Sequence, residues 1–249
     1  VYASFTGTNA RGLANNILQS SIQIAPNGAS LETRVEFTEY DTDGNPLEYK
    51  IDGVPTALLW GYGGNSVIAT IKNATKDEVN TAKTTAGIDQ NNFNITTLDS
   101  TRLAEITAFQ NALPNAQASW YTHIPHVGIS EMIAINGLKT SFEYDALQRL
   151  KLSKDHKGNL LAFNQYNFGL NPTITSSVFS VPTSNTADAN NTAKANISIS
   201  YFDGLGRDLQ KVGRQQSPTL NDIISNTVEY DTYSRAFKSY LPAPATVGT

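Results

Sequence analysis

Two short stretches carry the residue types that chemistry would need. Tyr201-Phe-Asp-Gly-Leu-Gly-Arg-Asp-Leu-Gln-Lys-Val212 combines Asp203 with Gly204, Gly206 and Arg207, the ingredients of a phosphate-cradling loop or of a carboxylate presented for catalysis. A phosphate loop needs a following Lys-Ser/Thr, and a dinucleotide fingerprint needs its own glycine spacing with a helix behind it; neither is present after Gly206. His123-Ile-Pro-His126 sets two imidazoles three residues apart. On a strand they point to opposite faces, Pro125 disfavours the helix that would align them, and the sequence positions no third ligand, which favours a structural or surface role over zinc. His156 falls in a turn and reads as solvated. Asp and Glu are scattered so evenly that some pair approaches a glycosidase-like separation in any fold, so composition supplies no hydrolytic site. Gly-x-Ser-x-Gly and His-Glu-x-x-His do not occur. The sequons that begin at Asn73, Asn94, Asn190 and Asn196 are expected by chance in a chain so rich in Asn and Thr. These readings assign no catalytic residue, metal ligand or cofactor and leave ligand-binding residues unknown. The reading is of a non-enzyme.

The elements that would position these residues are mostly strands. Val35, Phe37 and Tyr40 lead into Asp41-Thr-Asp-Gly-Asn45, and Leu47, Tyr49 and Ile51 lead into Asp52-Gly53. Alternation bounded by Asp and Gly at this spacing reads as meandering hairpins. Leu58–Tyr62 and Ser66–Lys72 read as two more strands around a Gly-Gly-Asn turn. Thr75–Lys83 and Ser100–Leu113 break the alternation. In the second of these, Leu103, Ile106, Phe109, Gln110 and Leu113 leave apolar groups at helical spacing, with Asp99 or Ser100 as N-cap and Pro114 as the stop. Two short helices joined by the polar Asp89–Asn94 are expected, as an insertion that covers a sheet edge or end. The expected fold is mainly β, with repeated antiparallel hairpins in a curved or spiralling sheet. The segments are hairpin repeats over 1–74, the helical insertion over 75–113, hairpin repeats over 114–170, an Asn/Thr-rich linker or long loop over 171–196, and hairpin repeats from 197 to 249 that continue further.

Bulk properties narrow the function classes. A net charge of −4 gives no electrostatic case for nucleic acid or an anionic membrane. Only 16% of residues are charged, which suits the neutral polar surface of an exported β protein. Cysteine is absent, which removes disulfide scaffolds, thiol nucleophiles and Cys-ligated zinc together. No run of 18 apolar residues suggests a membrane span. The chain opens on Val1 without an initiator Met or signal peptide and ends without a cap, which reads as a processed chain or a fragment.

Aligning the Asp turns shows the organising pattern: EYDTDGNPLE from Glu39, EYDALQRLKL from Glu143, SKDHKGNLLA from Ser153, YFDGLGRDLQ from Tyr201 and EYDTYSRAFK from Glu229. Asp at the first position of a type I turn accepts backbone N–H groups. Gly three residues later supplies a left-handed residue that completes a three-residue hairpin with a bulge. The preceding aromatic can pack across the strand pair, and the following Arg can return to the carboxylate or cover a ring. The turn residues so identified are Asp41 and Gly44; Tyr144, Asp145 and Arg149; Asp155 and Gly158; Asp203, Gly206 and Arg207; and Tyr230, Asp231 and Arg235. Gln148 and Ser234 stand at the Gly position in two units, so those turns are either strained or differently built.

Tyr144-Asp145-x-x-x-Arg149, Phe202-Asp203-x-x-Gly206-Arg207 and Tyr230-Asp231-x-x-x-Arg235 resemble the Tyr-Asp (YD) repeat of bacterial rearrangement-hotspot (Rhs) proteins. The text around Trp60-Gly-Tyr62, Tyr121–Ser130, Asn136–Thr140, Lys154–Asn159 and Tyr201–Pro242 is similar to the large exported Bacteroidota members. The resemblance implies a β-sheet wall of a shell that encloses or presents a C-terminal toxin or effector, a secreted or cell-surface location, and a toxin or the secretion machinery as partner. The Pro-x-x-x-x-Asp-Pro-x-Gly context of the family's autoproteolytic aspartate is absent, so self-cleavage is not carried over. Two other readings stay open. One is a surface binding module for glycans or protein, contacting through Trp60, Trp120, Tyr62 and Tyr121. The other is a secretion substrate captured with its export machinery.

Overall fold

The computed structural model describes residues 2–6, 18–25, 30–169 and 172–248. The chain is mainly β and forms two units, Val1–Lys139 and Thr140–Thr249. The first holds β1 (Tyr2–Thr6), β2 (Leu18–Ile24), β3 (Glu32–Tyr40), β4 (Pro46–Ile51), β5 (Val54–Gly61), β6 (Ser66–Lys72), α1 (Lys76–Thr85), α2 (Ser100–Ala112), β7 (Gln117–Ile124) and β8 (Gly128–Ile133). Each strand pairs antiparallel with the next. Tight turns fix the register. Asp52 and Gly53 both sit at positive φ (48° and 84°), the two-residue geometry whose twist suits a hairpin, and the four-residue β5–β6 turn opens with Tyr62 and Gly63 at positive φ as well (55° and 68°).

β6 and β7 are direct neighbours, yet both helices lie between them in sequence. Thr75 caps α1 through a reciprocal box with Glu78, and Asp99 caps α2 by accepting the Arg102 N–H at 2.9 Å. The helices lie against the face of the sheet, not its edge or end. Val79 and Ala82 of α1 and Ile106 and Phe109 of α2 join Ala57, Leu59, Ile68, Ile71, Ala118 and Trp120 in one buried cluster. Phe93, inside the stretch expected to be a polar link, is wholly buried in a 3-10 turn over Gln90–Phe93. It stacks on Trp120 with centroids 5.1 Å apart, and Phe109 meets the same indole edge-on at 5.1 Å. Each such aromatic contributes roughly 1.5–3 kcal/mol through burial. Leu103, by contrast, faces outward.

Two buried carboxylates fasten the insertion. Glu48 on β4 accepts the first helical N–H of α1, from Lys76, at 2.8 Å and the Thr38 hydroxyl at 2.9 Å. Glu131 on β8 accepts the Leu98 N–H just before α2 and is paired with Lys139 at 2.9 Å. Both are under 10% exposed.

The second unit holds β9 (Lys139–Tyr144), β10 (Leu150–Lys154), β11 (Leu160–Asn167), β12 (Thr173–Phe179), β13 (Ala195–Phe202), β14 (Asp208–Gly213), β15 (Asp222–Ser225), β16 (Val228–Tyr230), β17 (Ala236–Ser239) and β18 (Ala243–Ala245). β9 to β15 pair in sequence order, β18 adds to β15, and β16–β17 form a separate ribbon. Over 171–196, read from composition as a linker or loop, Asn171 lies outside the described residues, and Thr173–Phe179 form a strand paired on both sides, with β11 and with β13. Thr and Ser suit a pleated surface when their hydroxyls find partners. Ser177, wholly buried, donates to the Ala189 carbonyl at 2.7 Å. The return passes through a 3-10 turn, Thr186–Asn190, which sinks Ala189 among Leu152, Leu160 and Phe163.

Candidate functional site

The five Asp turns share one geometry. In each, the Asp N–H and the carbonyl of the residue four on are joined at 2.9–3.0 Å, and the N–H of the residue three on reaches the Asp carbonyl. One carboxylate oxygen of Asp41, Asp145, Asp155, Asp203 and Asp231 accepts the N–H groups two and four residues on, at 2.8–3.0 Å. The other accepts the side chain four residues on, at 2.6–3.0 Å: Asn45, Arg149, Asn159, Arg207 and Arg235 respectively. The carboxylate is thus consumed by its own turn. The residue three on is left-handed throughout: Gly44, Gly158 and Gly206 at φ 89°, 84° and 79°, Gln148 and Ser234 at 62° and 64°. The two non-glycine turns are built like the rest.

Charge follows geometry. The Arg149 side chain holds the Asp145 carboxyl below its ordinary pKa, Asn159 does so for Asp155, and the backbone N–H groups of Arg207 and Arg235 lead the same effect at Asp203 and Asp231. The guanidinium also lies on an aromatic face. Arg149 sits 4.2 Å from the Tyr166 ring centre and 4.6 Å from that of Phe168, and Arg207 sits 4.2 Å from that of Tyr230. Tyr166 donates to the Leu150 carbonyl and Tyr230 to the Asp208 carbonyl, each at 2.9 Å. In both cases the acceptor is the residue after the arginine. Through Tyr230 this stitch docks the β16–β17 ribbon against the turn at Asp203. Tyr144 is half-buried, and burial raises its pKa.

Two further turns share the backbone frame without Asp. Ala134–Leu138 carries Gly137 at φ 75°, and Ser217–Asn221 carries Leu220 at φ 59° with Ser217 Oγ accepting the Asn221 N–H at 2.7 Å. A search keyed to Asp passes over both, although the hydroxyl at Ser217 is a readable signal.

The other candidate residues meet elsewhere. His123 and His126, expected on opposite faces of a strand, line one cavity of about 540 Å³ in the first unit, together with Tyr62, Asn65, Asn94 and Val127. The strand ends at Ile124, and a turn through Pro125 with His126 at φ 61° breaks the strand alternation between the two imidazoles. Tyr62 is locked there: its hydroxyl accepts the His123 N–H at 2.8 Å and donates to the Ile95 carbonyl, and burial raises its pKa. A ring nitrogen of His123 lies 2.9 Å from the Val67 carbonyl. Of the other aromatics considered for binding, Trp120 is wholly buried, and Trp60 donates its indole N–H to the Pro46 carbonyl at 2.8 Å. His156 is exposed in its turn. Among the described residues no group of three His, Asp or Glu side chains is placed to hold a metal ion, and no helix is long and apolar enough to cross a membrane.

A search of curated protein sequences finds no match. Among solved structures, the crystal structure of TcdB2-TccC3 is similar at TM-score 0.49 and 12% identity over 90% of this chain and 12% of that one. The structure of TcdB2-TccC3-Cdc42 is similar at TM-score 0.38 and 13% identity, over 88% of this chain and 11% of that one. The chain therefore spans about an eighth of the length of these structures. Residues 175–249 match the family described as Domain of unknown function (DUF6443), which covers β13 to β18 and most of β12.

Proposed function

We propose that the chain is a structural, non-catalytic segment of an exported bacterial YD-repeat protein of the rearrangement-hotspot kind. Its hairpins contribute wall to a curved or spiralling shell that encloses or presents a C-terminal toxin or effector. The observation that carries this reading is the five-fold recurrence of one Asp-clamped turn, in which the carboxylate and its Arg or Asn partner are spent on holding the bend. A carboxylate both of whose oxygens are bonded within its own turn supports architecture and not reaction. The arginine–tyrosine stitch supports the same reading, because it joins one hairpin to the next without requiring a ligand. A secreted or cell-surface location, and a family setting among the Bacteroidota, belong to the same proposal.

Electron cryomicroscopy of the natural full-length polypeptide tests it. The expected result is a lumen whose wall includes β9 to β15, with a C-terminal segment protected from added protease until the wall is unfolded. Finding these strands in a free-standing module with no enclosed space would refute it.

A further inference from the structure

We propose that the cavity between the β5–β6 turn and the β7–β8 turn binds one residue of a neutral carbohydrate. Its volume, about 540 Å³, falls in the range of small-molecule sites. None of its lining residues is Asp, Glu, Lys or Arg, so apart from the two imidazoles the lining is uncharged and suits a neutral ligand. What the lining offers is a mixture of amides and imidazoles beside apolar surface. Asn94 Oδ1 accepts the Tyr62 N–H, which leaves its amide N–H groups to donate. Asn65 donates to the Tyr62 carbonyl at 2.8 Å, which leaves its Oδ1 to accept. A sugar hydroxyl both donates and accepts, and its C–H face packs on the apolar rings and side chains of Tyr62, Pro125 and Val127.

Backbone conformation points to the same place. His126 occupies the third position of a turn that follows Pro125, where positive φ ordinarily selects glycine or asparagine. Tyr62 occupies the first central position of the β5–β6 turn, also at positive φ. Two bulky side chains in left-handed conformations thus line one cavity. The Tyr62 hydroxyl, bonded on both sides, keeps the wall in place before any ligand arrives.

The test is calorimetric titration of the 249-residue chain with lactose, cellobiose, maltose and N-acetylglucosamine, with sialyllactose as the charged control. The expected result is saturable binding of at least one neutral sugar at concentrations up to about 10 mM, with sialyllactose no tighter than lactose. His126→Gly relieves the left-handed strain, so its thermal midpoint should hold or rise while affinity falls at least about tenfold. His126→Asn, which tolerates the same conformation, should also weaken binding and serves if the glycine variant loosens the turn. Absence of saturable binding by all four neutral sugars, or unchanged affinity in both variants, would overturn the proposal.

Discussion

Gly206 offers the cleanest measurement of what the repeated turn needs. It stands at φ 79°, and a Cβ built there would meet nothing within 4 Å. The cost of Gly206→Ala is therefore almost purely conformational. The left-handed region costs an L-residue about 1–2 kcal/mol, and the smaller entropy of the alanine-bearing unfolded chain returns roughly half a kcal/mol or more, leaving a net loss of about 1 kcal/mol. With a urea dependence of about 2 kcal/mol per molar, the midpoint should fall by roughly 0.5 M with no change in slope. Gly206→Asn should lose less, because Asn tolerates the conformation, and Gly206→Val more, because its χ1 is restricted. The reciprocal change is informative: Gln148→Gly, at φ 62° in the same frame, should gain a few tenths of a kcal/mol. Far-UV circular dichroism against urea reads all four variants. A Gly206→Ala midpoint equal to the parent's, or equal losses for Asn and Val, would refute the reasoning, since a left-handed penalty requires a loss for Ala and a larger one for Val than for Asn.

Acid should loosen the turns through their carboxylates. Asp145, Asp155, Asp203 and Asp231 have folded pKa values below the ordinary range, so their contribution is whole at neutral pH, begins to shrink as pH falls through about 4, and is gone below the depressed folded values. The urea midpoint should drop over that interval, less steeply in Asp203→Asn; a midpoint flat from pH 7 to pH 3 would contradict this. Phe93→Ala removes a wholly buried ring from the Trp120 stack and should cost about 3–5 kcal/mol, seen as a lower thermal midpoint with altered tryptophan fluorescence. Glu131→Ala leaves the Leu98 N–H without its buried acceptor and should cost about 2 kcal/mol. Proteolytic nicking should then start within the helical insertion before the sheet.

The legible part of this fold is its local part. Asp41, Asp145, Asp155, Asp203 and Asp231 each bond only to residues within four positions, so spacing alone identifies the turn. The same locality explains Gln148 and Ser234: the backbone and side-chain hydrogen bonds at Asp145 and Asp231 hold the frame, and glycine's freedom is a preference instead of a requirement. What depended on distant partners stayed hidden. β12 reads as part of an Asn/Thr-rich linker or loop until β11 and β13 supply its ladders and Ala189 accepts the Ser177 hydroxyl. Phe93 looks like a stray aromatic in a polar link until Trp120, 27 positions later, lies beneath it. His123 and His126 diverge on an ideal strand and converge only because the strand ends between them. Glu48 and Glu131 look like ordinary surface acids, since the N–H groups they accept lie 28 and 33 residues away.

The helical insertion leaves and re-enters the sheet at one point. Lys72 and Gln117 face each other across β6 and β7, and Asn73 closes the neck by donating to the Asn115 carbonyl at 3.0 Å. A short hairpin could bridge that gap with the strand order intact. Everything between is thus an accessory that lineage or engineer could exchange, provided the replacement brings its own apolar underside for Ile71, Ala118 and Trp120. Such a site lets a repetitive sheet acquire a second layer, or a new appendage, by a single splice that renumbers nothing in its ladder.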